Sequence, residues 1–275
     1  MGGRMTGRLV VALVIAWSSG CGGHTSAGVT THTFHSAALD REMTYRIFMP
    51  TSSATAPVPV VYLLHGYGGD AADWFTHSRA AELADRLGLA VVTPDGGDSW
   101  YVNSPSGRWA DYIVTDLVRE VEGRFAVRRS RQGRVVAGLS MGGFGAMNLA
   151  MRHPDVFAIA ASMSGALDTM RATSVFAPEA AQPELAARLG PANGPTRRDN
   201  DVYQLAATVP VTALPYLYLD CGASDPWIGI NREFAQLLAA RGIAHEFHEA
   251  PGDHDFHYWD RQIEVVLTLA AKRLR

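Results

Sequence analysis

The sequence predicts an α/β fold, a mostly parallel central sheet with helices on both faces, and three observations carry that prediction. Valine-rich runs at residues 58–64, 89–93 and 134–138 are largely apolar, as expected of strands covered on both faces of a parallel sheet. Between them lie helical patterns, of which Ile113, Val114, Leu117, Val118 and Val121 form one apolar stripe. Finally, Gly138-Leu139-Ser140-Met141-Gly142 sets a serine in a G-x-S-x-G turn, followed by a helical run of small and apolar residues over 143–151. Such a turn is strained, needs minimal side chains at its flanks, and lifts the serine hydroxyl above the sheet edge. The pattern alone is weak evidence in a chain with 27 glycines among 275 residues. Its place between a strand and a helix gives it weight.

The remaining elements follow in order. Residues 33–50 alternate loosely, with Tyr45, Ile47 and Met49 on one side of a strand, and residues 51–57 form a loop. The strand at 58–64, interrupted by Pro59, ends in the glycine-rich turn His65-Gly66-Tyr67-Gly68-Gly69-Asp70. A turn at that end of a strand can aim a backbone N–H into the crevice where open α/β sheets place their ligands. A helix over 78–87 and a strand over 89–93 lead to the loop 99–109, whose aromatic and polar residues, Trp100 and Tyr101 among them, suit a pocket rim. Asp111 is placed to cap the helix that runs to about Gly123. Beyond the serine helix, a strand at 157–163 precedes an insertion over 166–209, read as a small helical cover for the active face. It holds a short helix at 184–189, a turn at 190–195 and a polar patch at 197–201. Strands at 216–219 and 244–248, a helix at 229–240 and a terminal helix complete the chain.

With 47% apolar and 19% charged residues and a net charge of −3, the composition describes a globular domain and excludes a nucleic-acid binder. The five arginines from Arg124 to Arg134 read as a solvated loop in preference to an anionic partner surface. Residues 1–21 carry Arg4 and Arg8, an apolar run over 9–17, and Ser18-Ser19-Gly20 directly before Cys21, the layout of a secretory signal. Small residues before Cys21 also resemble a bacterial lipoprotein site, although Ser18 stands where leucine is usual. Secretion is therefore expected, and lipidation of Cys21, with membrane attachment, is the second expectation. Residues 22–32 read as a flexible tether and 33–275 as a single catalytic domain. Two cysteines make no disulfide scaffold. With Cys21 lipidated, Cys221 is expected as a buried thiol beside a strand end.

A serine nucleophile needs a base to take its proton, and the base needs a third group to fix its tautomer. In this fold class the chain order is serine, acid, histidine. Asp225 follows the strand at 216–219 and His254 follows the strand at 244–248. Asp220 is the alternative acid, although it lies close enough to the strand end to serve as a loop support. His257 is the alternative base, although it falls where the terminal helix begins. Asp253, His254, Asp255 and His257 could also be read as metal ligands, but no further ligand converges on them. The N–H groups of Met141 and Tyr67 are expected to form the oxyanion hole. Trp100, Tyr101 and Trp227 are the substrate-binding candidates. No metal or organic cofactor is required.

Five ordered blocks now stand together: residues 63–69, 100–103 leading to 111–113, 138–143, 221–225 and 251–259. Over residues 33–270 they resemble the esterase family that contains esterase D (S-formylglutathione hydrolase), tributyrin and feruloyl esterases and the antigen 85 mycolyltransferases. The resemblance implies an α/β-hydrolase fold, Ser140 as nucleophile, Asp225 as acid, His254 as base, and the Tyr67 and Met141 amides as oxyanion donors. It implies a serine carboxylic ester hydrolase acting on a small-molecule or glycan-linked ester, and the leader points to an ester outside the cell or at its envelope. The alternative is an acyltransferase to a carbohydrate or lipid alcohol, and a less favoured one is a non-catalytic carbohydrate-binding envelope protein. The mycolyltransferases typically carry Glu where Asp225 stands, which favours hydrolysis. The leader argues against a cytosolic thioester substrate.

Overall fold

The computed structural model describes residues 28–171, 174 and 183–274. The leader, Cys21 and residues 22–27 of the tether lie outside the described residues. Ten strands are formed among the described residues: β1 (Val29–Ser36), β2 (Arg41–Phe48), β3 (Val60–Leu64), β4 (Ala90–Pro94), β5 (Asn103–Ser104), β6 (Gly107–Arg108), β7 (Arg134–Leu139), β8 (Ile159–Met163), β9 (Tyr216–Gly222) and β10 (His245–Ala250). Apart from the short β5–β6 hairpin they build one sheet in the order β1-β2-β4-β3-β7-β8-β9-β10. The ladders from β4 through β10 are parallel, and β2 is antiparallel to both β1 and β4. This is the mostly parallel α/β sheet the sequence predicts.

The strand side chains divide by the two-residue period of a pleated strand. Val60, Tyr62 and Leu64 of β3 join one core with Ile113, Leu117, Phe144 and Phe234. Val61 and Leu63 join the other, with Leu83, Tyr258, Ile263 and Leu267. Helices therefore cover both faces, and every β3 residue is buried. After β3 the chain turns to one side, to β4, whereas β7 lies on the other side. The carboxyl ends of β3 and β7 thus flank a topological switch point, where doubly wound sheets leave a crevice. The glycine turn and Ser140 emerge there.

Four local readings are corrected. The single strand expected over 33–50 is a hairpin, with β1 starting at Val29, so the end of the expected tether is sheet: Val29 to His32 pair with Phe48 to Tyr45. The reversal passes through Asp40 at φ 50, a conformation aspartate tolerates better than most residues. Asp111 is not the helix cap; it lies inside the first turn and pairs with Arg108 at 2.7 Å. Asn103 takes the capping role, its Oδ1 accepting the N–H groups of Ala110 at 3.0 Å and Asp111 at 3.3 Å. The patch at 197–201 is not all surface, because Arg197, Asn200 and Asp201 are buried where the helices Pro195–Asp199 and Val202–Thr208 fold back, and the Asn148 side-chain amide donates to the Asn200 carbonyl at 2.9 Å. Nor are all the arginines loosely solvated. Arg131 donates to the Pro154 carbonyl at 2.7 Å, and Arg134 pairs with Glu122 at 2.6 Å.

Two glycines test the packing in opposite directions. A Cβ on Gly142 would lie 2.5 Å from the Leu64 carbonyl oxygen and 2.6 Å from that of His65, whereas one on Gly123 would meet nothing within 4 Å. Gly142→Ala should lower stability by about 1–3 kcal/mol. Gly123→Ala, at an exposed position of the helix Val118–Arg124, should raise it by about 0.5–1 kcal/mol. Urea unfolding midpoints of the two variants check both signs.

Candidate active site

Ser140 directly follows β7 with φ 52 and ψ −114, and the helix Met141–Arg152 starts directly after it. Backbone hydrogen bonds hold this unusual conformation. The Ser140 N–H donates to the Met163 carbonyl at 3.0 Å, and the N–H groups of Phe144 and Ala166 donate to the Ser140 carbonyl at 3.0 and 3.2 Å. The flanking glycines allow the close approach. A Cβ on Gly138 would collide with the Gly142 carbonyl at 2.5 Å.

The acid and histidine loops leave the adjacent strands β9 and β10. Ala223 N–H donates to the Ala250 carbonyl at 2.9 Å and Ser224 N–H to the Gly252 carbonyl at 3.0 Å, lacing the loops together. His254 is thereby brought between the two expected partners. Its Nε2 lies 2.9 Å from Ser140 Oγ and its Nδ1 lies 2.9 Å from Asp225 Oδ2. Asp225 is buried, and its Oδ1 accepts the Trp227 N–H at 2.8 Å. A carboxylate facing Nδ1 accepts that proton, which leaves Nε2 free to accept from the serine hydroxyl. Such a line of groups can take a proton from the hydroxyl as its oxygen attacks an acyl carbon.

Gly66 brings the glycine turn beside the serine: a Cβ there would lie 3.6 Å from Ser140 Cβ. Tyr67 in this turn is partly exposed, and burial, followed by the Asp98 and Glu184 carboxylates, pushes its phenol above the ordinary value. Met141 is fully buried at the head of the serine helix. Trp227 is half-buried with its ring centroid 6.0 Å from that of His254. Trp100 is buried against Phe144, at 5.8 Å between ring centroids, and lies 6.3 Å from Tyr67.

Tyr101 is a correction. Its side chain has no exposed surface, its ring fills the space over Gly96 and Gly145, and its hydroxyl donates to the His65 carbonyl at 3.1 Å. It builds the back of the glycine turn, at a residue whose φ of 56 is unusual for a side chain of its size. Two residues that the sequence did not single out belong to the site. The Trp259 ring stands edge-on to His254 at 4.9 Å. His65 is buried, its Nδ1 lies 2.8 Å from the Gly66 carbonyl, and its Nε2 accepts the Gly96 N–H at 2.9 Å. The histidine directly before the glycine turn was the available signal.

Asp220, the alternative acid, does not touch His254. It is fully buried and accepts a hydrogen bond from the Tyr258 hydroxyl at 2.9 Å. Burial pushes its carboxyl up to about 8, with hydrogen bonds from Tyr258 and Tyr218 opposing and Asp225 adding to the rise. Cys221 beside it is buried, as expected of that thiol, and burial pushes its thiol above the ordinary value, so that it stays protonated. Between about pH 4 and pH 8 the folded protein keeps a proton on Asp220 that the unfolded chain releases, so this group makes stability fall as pH rises through that window. Asp220→Asn retains an acceptor for Tyr258 and removes the titration. Its melting temperature should therefore gain on the wild type progressively from pH 5 to pH 8, which thermal melts across that range check.

Comparison with known proteins agrees with this architecture. The chain is 26% identical over 211 residues to an acetyl esterase of Caldicellulosiruptor saccharolyticus, covering 74% of this chain and 79% of that one. It is also 26% identical over 245 residues to the diacylglycerol acyltransferase/mycolyltransferase Ag85B of Mycobacterium leprae, covering 76% and 74%. Two esterases of Mycobacterium tuberculosis are longer, and the chain spans 55% of each. Among solved structures, the fluorophosphonate-binding serine hydrolase FphF of Staphylococcus aureus superposes with a TM-score of 0.77 at 25% identity, over 88% of this chain and 98% of that one. The fold is that of the α/β-hydrolases. The model of the Esterase family matches residues 36–268, and the chain belongs to that family.

Proposed function

We propose that this chain is a serine carboxylic ester hydrolase that works through an acyl-enzyme on Ser140. The observation that carries the proposal is the placement of the His254 imidazole 2.9 Å from both Ser140 Oγ and Asp225 Oδ2. His254 Nε2 takes the hydroxyl proton as Oγ attacks the acyl carbon. The oxygen of the tetrahedral intermediate rests on the N–H groups of Tyr67 and Met141. His254 then gives the proton to the departing alcohol, leaving the acyl group as an ester on Ser140. Water enters along the same path, loses a proton to His254, and releases the acid. Asp225 keeps Nδ1 protonated and stabilises the imidazolium in both halves. Trp227, beside His254, and Trp100, next to Tyr67, are the aromatic groups proposed to shape the substrate site.

The substrate is proposed to be an ester outside the cell or at its envelope, on the strength of Arg4, Arg8 and the apolar run that precede Cys21. Cys21 is the proposed point of lipid attachment. A second reading has support from the acyltransferase relative: the same acyl-enzyme could pass its acyl group to a sugar or lipid hydroxyl.

Ser140→Ala should cut turnover of a short-chain aryl ester by about a thousandfold or more with an unchanged circular-dichroism spectrum. Retained turnover would remove Ser140 from the mechanism. Incubating the wild type with an acyl donor, with and without sugar acceptors, should give free acid as the main product in both cases by mass spectrometry. An acylated sugar as the main product would favour the transferase reading.

A further inference from the structure

The turn that carries the Tyr67 amide is moulded by the loop that follows β4. Two of the contacts are buried: Gly96 N–H on His65 Nε2 and the Tyr101 hydroxyl on the His65 carbonyl. They fix the start of the turn. A third contact fixes its far side. The Gly68 N–H donates to Asp98 Oδ1 at 2.7 Å. The other carboxylate oxygen of Asp98 lies 3.4 Å from an Arg188 guanidinium nitrogen on the helix Pro183–Leu189 of the insertion. Glu184, one turn earlier on that helix, interacts with the Tyr67 phenol.

The position of this contact matters. Gly68 sits at φ +76, a Cβ there would meet nothing within 4 Å, and another glycine follows. A glycine in open space has a broad choice of backbone angles, so sterics alone do not set the peptide plane between Tyr67 and Gly68. The Gly69 N–H closes the turn on the Gly66 carbonyl at 3.1 Å, and Asp98 holds that plane from outside, one residue from the Tyr67 N–H. An oxyanion donor acts only when aimed at the place where charge develops. A partly exposed ion pair such as Asp98–Arg188 contributes little to folding, yet it can tune which way an amide of this turn points.

We propose that Asp98 is a positioning residue for the oxyanion-binding amide of Tyr67, and that through Arg188 it makes this placement depend on the helix Pro183–Leu189. The proposal rests on the assignment of Tyr67 to the oxyanion hole made above. The insertion is then more than a cover. A substrate that leaves the helix seated meets a correctly aimed amide, and one that displaces it meets a looser one, so the helix contributes to specificity through kcat.

The test compares Asp98→Ala, Asp98→Asn and Arg188→Ala with the wild type. The readouts are kcat and KM for a short-chain aryl ester, inhibition by an alkyl boronic acid, and thermal midpoint. A boronic acid forms a tetrahedral adduct on the serine and so reports on the oxyanion donors, whereas KM for a planar ester scarcely does. Asp98→Ala should lower kcat about tenfold and weaken boronate inhibition by the same factor, with KM and thermal midpoint near wild type. Asp98→Asn keeps an acceptor for the Gly68 N–H and loses the charge facing Arg188. It should restore most of kcat. Arg188→Ala should reduce kcat about two- to threefold in the wild-type background and not at all in Asp98→Asn.

Wild-type kcat and boronate inhibition in Asp98→Ala would overturn the proposal. So would a loss that follows a lower thermal midpoint and is not rescued by Asn. Ser140→Ala, run alongside, separates the two levels of argument. If it stays active, the mechanism has failed and the positioning role falls with it. If it is inactive while Asp98→Ala behaves as wild type, only the positioning role has failed.

Discussion

The backbone of Ser140 is the constraint on which the rest of the site depends. A non-glycine residue at φ 52 and ψ −114 costs on the order of 1–3 kcal/mol and persists only where its surroundings over-determine it. Here they do so through the sheet register. The pairing of β7 with β8 sets Leu139 opposite Met163, so the next N–H of β7, that of Ser140, finds the Met163 carbonyl. The Ser140 carbonyl is satisfied in turn by Phe144 in the following helix and Ala166 beyond β8. A shift of one residue in that register would remove the support and bury the hydroxyl's exit. The serine is presented because the parallel ladder cannot easily slip.

The same logic locates the other unusual backbone conformations. Five described non-glycine residues have positive φ, and four of them, Trp100, Tyr101, Ser140 and Ser164, follow the carboxyl ends of β4, β7 and β8. Strain is thus concentrated on one edge of the sheet, where the ladders have ended and the loops turn sharply toward the crevice. At Trp100 and Tyr101 it serves a purpose visible in the packing. Turning the Tyr101 ring inward fills the gap left by Gly96 and Gly145 and puts its hydroxyl on the His65 carbonyl. The glycine turn then has a rigid back and, at Gly68, an open front.

What could be read in the sequence follows from this division. The serine elbow, the glycine turn and the order of Asp225 and His254 were legible because each is a contiguous segment with residue types that few other backbones require. The alternation of strands and helices was legible from apolar period alone. The hairpin of β1 and β2 was not, because Asp40 gives a weaker turn signal than glycine and the threonines and His35 of β1 are exposed. Nor was the inward turn of Tyr101, since an aromatic residue in a loop looks the same whether it lines a pocket or plugs one. The capping by Asn103, the bond from Asp98 to Gly68 and the reach of Arg188 to Asp98 join residues separated by a loop or by up to about a third of the chain. No local pattern encodes them. The burial of Arg197 within the polar patch was not legible for a related reason: a run of charged residues does not tell which of them the fold takes inside.

The choice between the two carboxyls after β9 shows how environment, not proximity in sequence, assigns chemistry. Asp220 and Asp225 are five residues apart and both are buried. Asp225 receives N–H donors, the Trp227 amide and the His254 ring, and a carboxylate so placed can balance an imidazolium. Asp220 receives the Tyr258 hydroxyl in a pocket where burial outweighs the hydrogen bonds and favours the neutral acid. Two carboxylates so close together would each raise the cost of ionising the other. Keeping Asp220 protonated near neutral pH leaves Asp225 as the negative group beside His254. The neutral acid still does structural work, because Tyr258 stands in the first turn of the helix Phe256–Arg273, directly after the histidine loop. Its bond to Asp220 ties that helix to the end of β9, from which the acid loop departs, and so fixes the separation of the two loops that must meet at 2.9 Å.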